Sequence, residues 1–530
     1  MAQPISLGLA PQPPPHIFRS PASCRADSLF SETRCSIEIM KNRIYPHTKR
    51  GSGAGKEKNP RSGVGVYLDY AATTPVDPAV LGAMLPYFGP QYEAASVSGP
   101  AQPASLCEGG WGNPGSLHSF GQAASAAVFK SRQTIAQALD CHYSEIIFTG
   151  SATIANNLAL RGALATWRSK NEELGIRNQP RIIVSAIEHE SILETATALE
   201  ADGVEVIRIP VNKQGIVDLK KLKDALNERT VLVSVMYANN EVGSIQPIAK
   251  IKKLIGNWKL EIENSATPYP LLHTDATQAF QYLPCRVDDL GVDPVRSLAR
   301  AKGTSLNDLG ETTSNGVDLM TLSAHKIYGP KGAGLLYVRN SHAQPHWKLK
   351  IENWKLSPLV TGGGQEQGLY SSTENVPAIV GFAKAVELVE KLRAKEAKRI
   401  TVLNEYLWEG IKTILPAARL NGPDFAKATP GKPSLVSSFK FPVSLSHRLP
   451  NNLNIYLPKL NAEELLVRLD LAGIAISSGS ACTARSTNPS HVLLAMGHNK
   501  DRAKHSLRIT LGRPTTKKEI AIFLKTVKAL

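Results

Sequence analysis

The chain has 530 residues, 42% hydrophobic and 20% charged, with a formal net charge of +16, a composition that supports two or three packed domains and excludes a chain too polar to fold. Its six cysteines (Cys24, Cys35, Cys107, Cys141, Cys285 and Cys482) are scattered with no CxxC pair, which argues against a disulfide framework or a zinc knuckle and suits a reducing compartment. No apolar run is long enough to cross a bilayer and no basic run is interleaved with aromatics, so neither membrane insertion nor direct nucleic-acid binding is expected.

Residues 1–66 carry ten Lys and Arg against four Asp and Glu, are rich in Pro, Ser and Gly, and lack periodic apolar spacing. A disordered leader is expected. The cytoplasm is the expected compartment unless this leader is a transit peptide for a mitochondrion or plastid; its Arg and Ser content fits one, and its prolines and acidic residues fit less well. An overextended reading frame explains the leader equally well.

From 67 to 374, seven short apolar runs alternate with helical spacing such as Ser191–Gly203 and Leu219–Glu228. The runs are Ile146–Thr149, Ile182–Ser185, Val204–Ile209, Val231–Val235, Leu271–Thr274, Leu319–Leu322 and Leu335–Val338. This pattern predicts a large α/β domain with a mainly parallel seven-stranded sheet covered by helices. Two stretches, about 91–110 and 292–316, are rich in small or polar residues and read as inserts. Beyond Asn375 come long helices, Ile379–Thr413 and Ala462–Ala472, with few strands such as Leu507–Leu511. Residues 375–530 therefore read as a smaller α+β domain, with which the first residues after the leader are free to pack.

In parallel α/β sheets ligands collect at the carboxyl ends of the strands, and five runs here end in polar signatures. Gly150-Ser151-Ala152-Thr153 leads into a helix, whose free N–H groups suit a phosphate, although helix capping alone explains a Ser there. Glu188-His189-Glu190, Asn239-Asn240-Glu241 and Asp275-Ala276-Thr277-Gln278 follow three further runs, and Ser323-Ala324-His325-Lys326 follows another. A lysine at a strand end can act as a Schiff-base amine, and an Asp there can hold a protonated ring nitrogen. Singly each has an ordinary structural reading; together they form the set that pyridoxal phosphate requires. Near the C-terminus, Ser477-Ser478-Gly479-Ser480-Ala481-Cys482 places a thiol among small residues on a backbone able to move, which suits a sulfur carrier or a plain surface turn.

With these motifs in order, the chain resembles the group I cysteine desulfurases of the class V pyridoxal-phosphate aminotransferase family, from Tyr67-Leu68-Asp69-Tyr70-Ala71-Ala72-Thr73-Thr74-Pro75 through Gly112-Asn113-Pro114 and Gly362-Gly363-Gly364-Gln365-Glu366 to Arg508-Ile509-Thr510-Leu511-Gly512. The resemblance implies a fold type I enzyme that converts L-cysteine to L-alanine and a persulfide on Cys482, working as a homodimer. It implies that Lys326 joins the cofactor, Asp275 pairs with its ring nitrogen, His189 stacks and moves protons, and Gln278 and Asn240 contact the ring. Ala152, Thr153, Ser323 and His325 are implied phosphate contacts, with Thr373 reaching across the dimer; Arg508 and Asn113 are implied for substrate. The resemblance implies a sulfur acceptor such as an iron–sulfur scaffold or a tRNA-thiolation protein, with cofactor synthesis equally open, and no intrinsic metal is expected beyond a transient contact of Cys482 with a cluster. A different class V enzyme, such as an aminotransferase or selenocysteine lyase, or a non-catalytic dimeric scaffold, is the alternative. The chain departs from the family's usual Thr-Ser-Gly-Ala-Thr-Glu at Thr149-Gly150-Ser151-Ala152-Thr153-Ile154, and from Arg-Gly-Leu-Arg-Ser-Gly-Thr at Gln367-Gly368-Leu369-Tyr370-Ser371-Ser372-Thr373; modestly altered phosphate affinity or loop geometry is expected, rather than inactivity.

Overall fold

The computed structural model describes residues 65–89, 110–175, 178–262, 268–290, 316–339, 356–424, 447–458, 460–479 and 489–530. The leader up to residue 64, both inserts except Gly110 and Gly316, and the nucleophile candidate Cys482 lie outside the described residues. In chain order the elements are β1 (Val66–Tyr67), α1 (Pro78–Met84), α2 (Ser119–Leu139), β2 (Ile146–Thr149), α3 (Ala152–Glu173), β3 (Arg181–Ser185), α4 (Glu190–Ala201), β4 (Glu205–Ile209), α5 (Leu219–Ala225), β5 (Thr230–Ser234), α6 (Ile248–Glu261), β6 (Leu271–Asp275), β7 (Leu319–Ser323) and β8 (Gly334–Val338). They continue with α7 (Val376–Ile414), β9 (Arg419–Leu420), β10 (Asn452–Tyr456), α8 (Ala462–Leu471), β11 (Ile474–Ala475), α9 (His491–Ala495), α10 (Lys500–Lys504), β12 (Ser506–Thr510) and α11 (Lys517–Ala529).

The seven apolar runs are the seven strands of one sheet, in the order β2-β8-β7-β6-β5-β3-β4. Only β8 runs against its neighbours, pairing antiparallel with both β2 and β7. Successive side chains on a strand point to opposite faces, and both faces here meet apolar helices. Ile183, Val233, Leu272 and Met320 enter the core with α2 and α7, whereas Ile182, Leu232, Leu271 and Leu319 enter the core with α3 and α4. A sheet covered on both sides needs continuous apolar strands, which is why the runs stood out.

Helix α7 begins where the apolar period changes. Asn375 caps it by accepting from the Ala378 N–H, and Pro377 occupies its first turn, where no hydrogen bond is lost. Its buried residues Ile379, Phe382, Val386 and Val389 recur at helical spacing. Behind it, β9, β10 and β12 form a three-stranded antiparallel sheet, and β1 pairs parallel with β11 through Val66↔Ile474 and Tyr67↔Ala475. The expected leader boundary at 66/67 therefore falls inside a strand. Ser477 continues from β11 and exchanges backbone hydrogen bonds with Arg508 on β12, so the segment leading to Cys482 starts from an anchored point.

One buried ion pair ties helix α2 to the segment before α7 and to strand β2. Arg132 on α2 holds the Glu366 carboxylate with both terminal nitrogens, Nη1 to Oε2 at 2.8 Å and Nη2 to Oε1 at 2.6 Å, and Oε2 also accepts the Phe148 N–H of β2 at 2.7 Å. The guanidinium also lies 4.7 Å from the centroid of the Phe148 ring. Both side chains are nearly inaccessible, at 11% and 3% exposure, so removing one strands a charge. We expect Glu366→Ala to destabilise the protein by about 3–5 kcal/mol, measured by urea denaturation, and Arg132→Met with Glu366→Leu together to lose much less than the single change.

Candidate active site

The parallel strands deliver their carboxyl ends to one edge of the sheet, and β8, running the other way, brings its first residue there. Gly334 must be glycine because a Cβ would lie 2.5 Å from the Ser151 carbonyl carbon and 2.8 Å from the Ala152 nitrogen. This lets β8 press against the turn that opens α3. Ser151 caps that helix, accepting from the Ile154 N–H at 3.3 Å. Thr153 in the first turn is exposed and Ala152 half-buried.

Asp275 ends β6 and is buried, 6% exposed as a residue. Its Oδ1 accepts from the Thr277 N–H at 2.9 Å and its Oδ2 from the Asn156 amide at 2.9 Å. An ionised carboxylate offers about four acceptor positions, so capacity remains. The Thr277 hydroxyl oxygen, beside it in sequence, is buried without a hydrogen-bond partner.

Lys326 stands in the tight turn after β7. Its Nζ donates to the carbonyls of Ala71 and Ala72, each at 2.7 Å, and Gln278 Nε2 donates to the Ala71 carbonyl at 2.9 Å. The segment 69–74 is thus laid over the lysine. Thr73 Oγ1 meets His325 Nδ1 at 3.1 Å, and Thr74 both donates to the His325 carbonyl and accepts the Tyr328 N–H. Burial, with Lys326 and Lys331 adding repulsion, pushes the His325 pKa down to about 4. Ser323, at the end of β7, is 3% exposed.

His189 caps the start of α4, and burial lowers its pKa. Asp275 opposes that shift, whereas Lys326 adds to it. The imidazole therefore feels both the carboxylate and the amine. Its neighbour Glu188 is fully buried, with Oε1 accepting from Ser185 Oγ at 2.5 Å and the Met236 N–H at 2.7 Å while Oε2 has no partner. Burial raises its pKa to about 8, against the pull of those two donors. A protonated carboxyl suits this arrangement, with Oε1 as the carbonyl oxygen.

Arg508 lies on β12 with 1% exposure. Nη2 holds Asp69 Oδ1 at 2.7 Å and Nη1 donates to the Asn240 carbonyl at 3.2 Å, while Nε is buried without a partner. The guanidinium therefore joins the N-terminal segment, the Asn239–Glu241 loop and the three-stranded sheet.

Comparison with known proteins follows this geometry closely. The family model for aminotransferase class-V matches residues 66–297 and 311–523. The chain belongs to the aminotransferase class-V family. Within it, the chain is 34% identical over 465 residues to a protein named cysteine desulfurase IscS from Dictyoglomus turgidum, covering 88% of this chain and 94% of that protein. A solved NifS-like protein superposes with a TM-score of 0.65 at 29% identity, covering 88% of this chain and 98% of that one. SspA, solved in complex with cysteine, does so with a TM-score of 0.56 at 28% identity, covering 84% and 98%.

The class-V sheet thus gathers Lys326, His325, Gln278, Asp275, His189 and Ser323 around one edge, with Ala152 on the turn beside it. Two of the expected residues stand apart in the single chain. Asn113 is exposed and its Oδ1 accepts the Gly115 N–H at 2.9 Å, closing a local turn, and Thr373 is exposed in the segment before α7. Asn240 reaches the site through its backbone, its carbonyl accepting from Arg508. Asn156, which bonds Asp275, had no place among the sequence candidates, because an asparagine inside a helix carries no spacing signal.

Glu188 gives this class-V chain a pH signature. A carboxyl raised from 4.5 to about 8 binds its proton more tightly in the folded state, so the stability it lends at low pH is lost as pH rises through about 8. Glu188→Gln mimics the protonated form; urea titrations from pH 5 to 9 should show the variant gaining on wild type across that window. A constant difference across it would contradict the burial argument.

Proposed function

We propose that the protein is a pyridoxal 5'-phosphate-dependent cysteine desulfurase, which takes sulfur from L-cysteine onto Cys482 and releases L-alanine. The observation that carries this reading is a lysine and a buried carboxylate with unused acceptor capacity at one edge of a class-V sheet, in a chain whose later segment holds the Cys482 motif. Similarity to proteins named cysteine desulfurase, and to a neighbour solved with cysteine, supports the substrate.

The residues at the edge suit the cofactor. Asp275 would hold the protonated ring nitrogen, Gln278 and Asn240 the ring oxygen, and Lys326 the aldehyde carbon. Ala152, Thr153, Ser323 and His325 would hold the phosphate, with Thr373 supplied by the partner protomer of a homodimer. When bound, pyridoxal phosphate draws electrons from the substrate's α-carbon and makes its proton labile.

The chain's own groups do the rest. Arg508 binds the substrate carboxylate, a task that its remaining donors permit only with Asp69 as a neighbour on the same guanidinium. Asn113 assists at the substrate side. Lys326, placed to hold the cofactor's aldehyde carbon, would carry the α-proton. His189, held neutral by burial, manages the proton of the sulfur. The Cys482 thiolate attacks the substrate sulfur; the carbon–sulfur bond breaks as the sulfur–sulfur bond forms, and the carbon keeps the electron pair, takes a proton and becomes the methyl of alanine. The persulfide then passes to an acceptor such as an iron–sulfur scaffold or a tRNA-thiolation protein. Free Cys141 and Cys285, among the described residues, fit a reducing compartment, the cytoplasm first. No described helix is long and apolar enough to cross a membrane.

Incubation with L-cysteine should put one extra sulfur on Cys482, detected by peptide mass spectrometry, with alanine formed in step. Cys482→Ala should lose the modification and at least 100-fold in sulfide release under a reductant. Lys326→Ala should lose the visible absorbance of covalently joined cofactor. Sulfide release from Cys482→Ala at the wild-type rate would remove the persulfide from the reading.

A further inference from the structure

Asn156 sits one turn into α3 and is wholly buried. Its Nδ2 makes two contacts, 2.9 Å to Asp275 Oδ2 and 2.8 Å to Ser191 Oγ. A carboxylate only accepts, so the nitrogen rather than the oxygen must face Asp275, and its two hydrogens serve the two partners. That orientation leaves Asn156 Oδ1 buried with no hydrogen bond. An orphaned buried acceptor costs free energy that an apolar side chain would avoid; the two Nδ2 bonds are what the amide provides in return.

The second bond continues. Ser191 Oγ, having accepted from Asn156, has its own hydrogen to give, and His189 Nδ1 lies 2.9 Å away. The Ser191 backbone N–H points at the same nitrogen, at 3.1 Å. A backbone N–H can only donate, so Nδ1 is the bare nitrogen of the neutral ring and the ring proton sits on Nε2.

We propose that Asn156 is a positioning residue that holds Asp275 and His189 as one unit, fixing the carboxylate directly and, through Ser191, the tautomer and tilt of the imidazole. The inference rests on the reading of Asp275 and His189 as cofactor and proton-transfer groups, and assigns the bridge between them to a helix that meets neither by sequence proximity. Asp275 on β6, Lys326 after β7, Glu190 on α4 itself and His491 on α9 are the charged or titratable groups acting on His189. A relay that donates to Nδ1 favours the neutral ring. Cutting it raises the pH at which the ring takes its second proton.

The test is histidine-selective 15N NMR on the full-length protein, with the His189 signal assigned from His189→Gln. Wild type should display the Nε2–H tautomer at neutral pH. Asn156→Ala should raise the His189 titration midpoint by about 0.5–1 unit, the worth of one hydrogen bond. Ser191→Ala, at a half-buried site where folding is not at stake, should raise it comparably. The double variant should rise no further than the larger single, because both cut one relay. With cofactor bound, Asn156→Ala should lower kcat about 10-fold with KM for cysteine within twofold, since Arg508 is untouched. An unchanged His189 midpoint and tautomer in both single variants, or additive shifts in the double, would overturn the proposal and leave Asn156 a packing residue. If the midpoints move as expected while His189→Gln retains full kcat, the bridge stands and the role given to His189 fails instead.

Discussion

A carboxylate buried at the end of a central strand is the constraint around which this molecule is arranged. Taking an ionised group out of water is unfavourable unless donors meet it, and β6 ends at Asp275 with one backbone donor and one from α3. The strand is held in register between β5 and β7 by parallel pairing, with Asp275 opposite Thr321. The carboxylate therefore cannot shift without shearing the sheet. The neighbouring strand then carries Lys326 past it, and β3 on the other side carries His189. Position in the sheet, more than any local loop, decides which groups share one electrostatic field.

How much of this was legible beforehand follows from distance along the chain. The seven strands were, because both faces of the sheet are covered and most of their runs, β4 with its Glu205 and Arg208 excepted, are largely apolar; observed ends such as Arg181–Ser185 and Leu271–Asp275 differ from the runs by single residues. Helices α7 and α8 matched their periodic spans closely. Lys326, Asp275 and His189 were legible as polar residues that follow such runs. The bonds that tie the edge together were not. Asn156 meets Asp275 across 119 residues, Arg132 meets Glu366 across 234, and Asp69 meets Arg508 across 439. No periodicity encodes a pairing of that length, since it depends on strand order, which local spacing leaves open.

Arg508 illustrates the difference between a residue type and its setting. A guanidinium fork suits a substrate carboxylate, yet in the folded chain one terminal nitrogen already holds Asp69 and the other a carbonyl. The side chain is a structural joint and a candidate anchor at once. Its backbone has a third task, because Arg508 and Ser477 bond reciprocally at 3.1 and 2.6 Å. The candidate substrate anchor and the root of the Cys482 segment are thereby tied to the same residue of the same strand.

The pairing of β1 with β11 bears on the order in which the protein is made. The carbonyls that receive Lys326 belong to Ala71 and Ala72, which leave the ribosome early, but this segment is held by Ile474–Ala475 and by Thr510 and Arg508. The seven-stranded sheet is complete once Val338 has emerged; the cover over its lysine waits for some 170 more residues, from 338 to 510. The cover over Lys326 therefore cannot be completed until the last strand has been made, long after the sheet on which it lies.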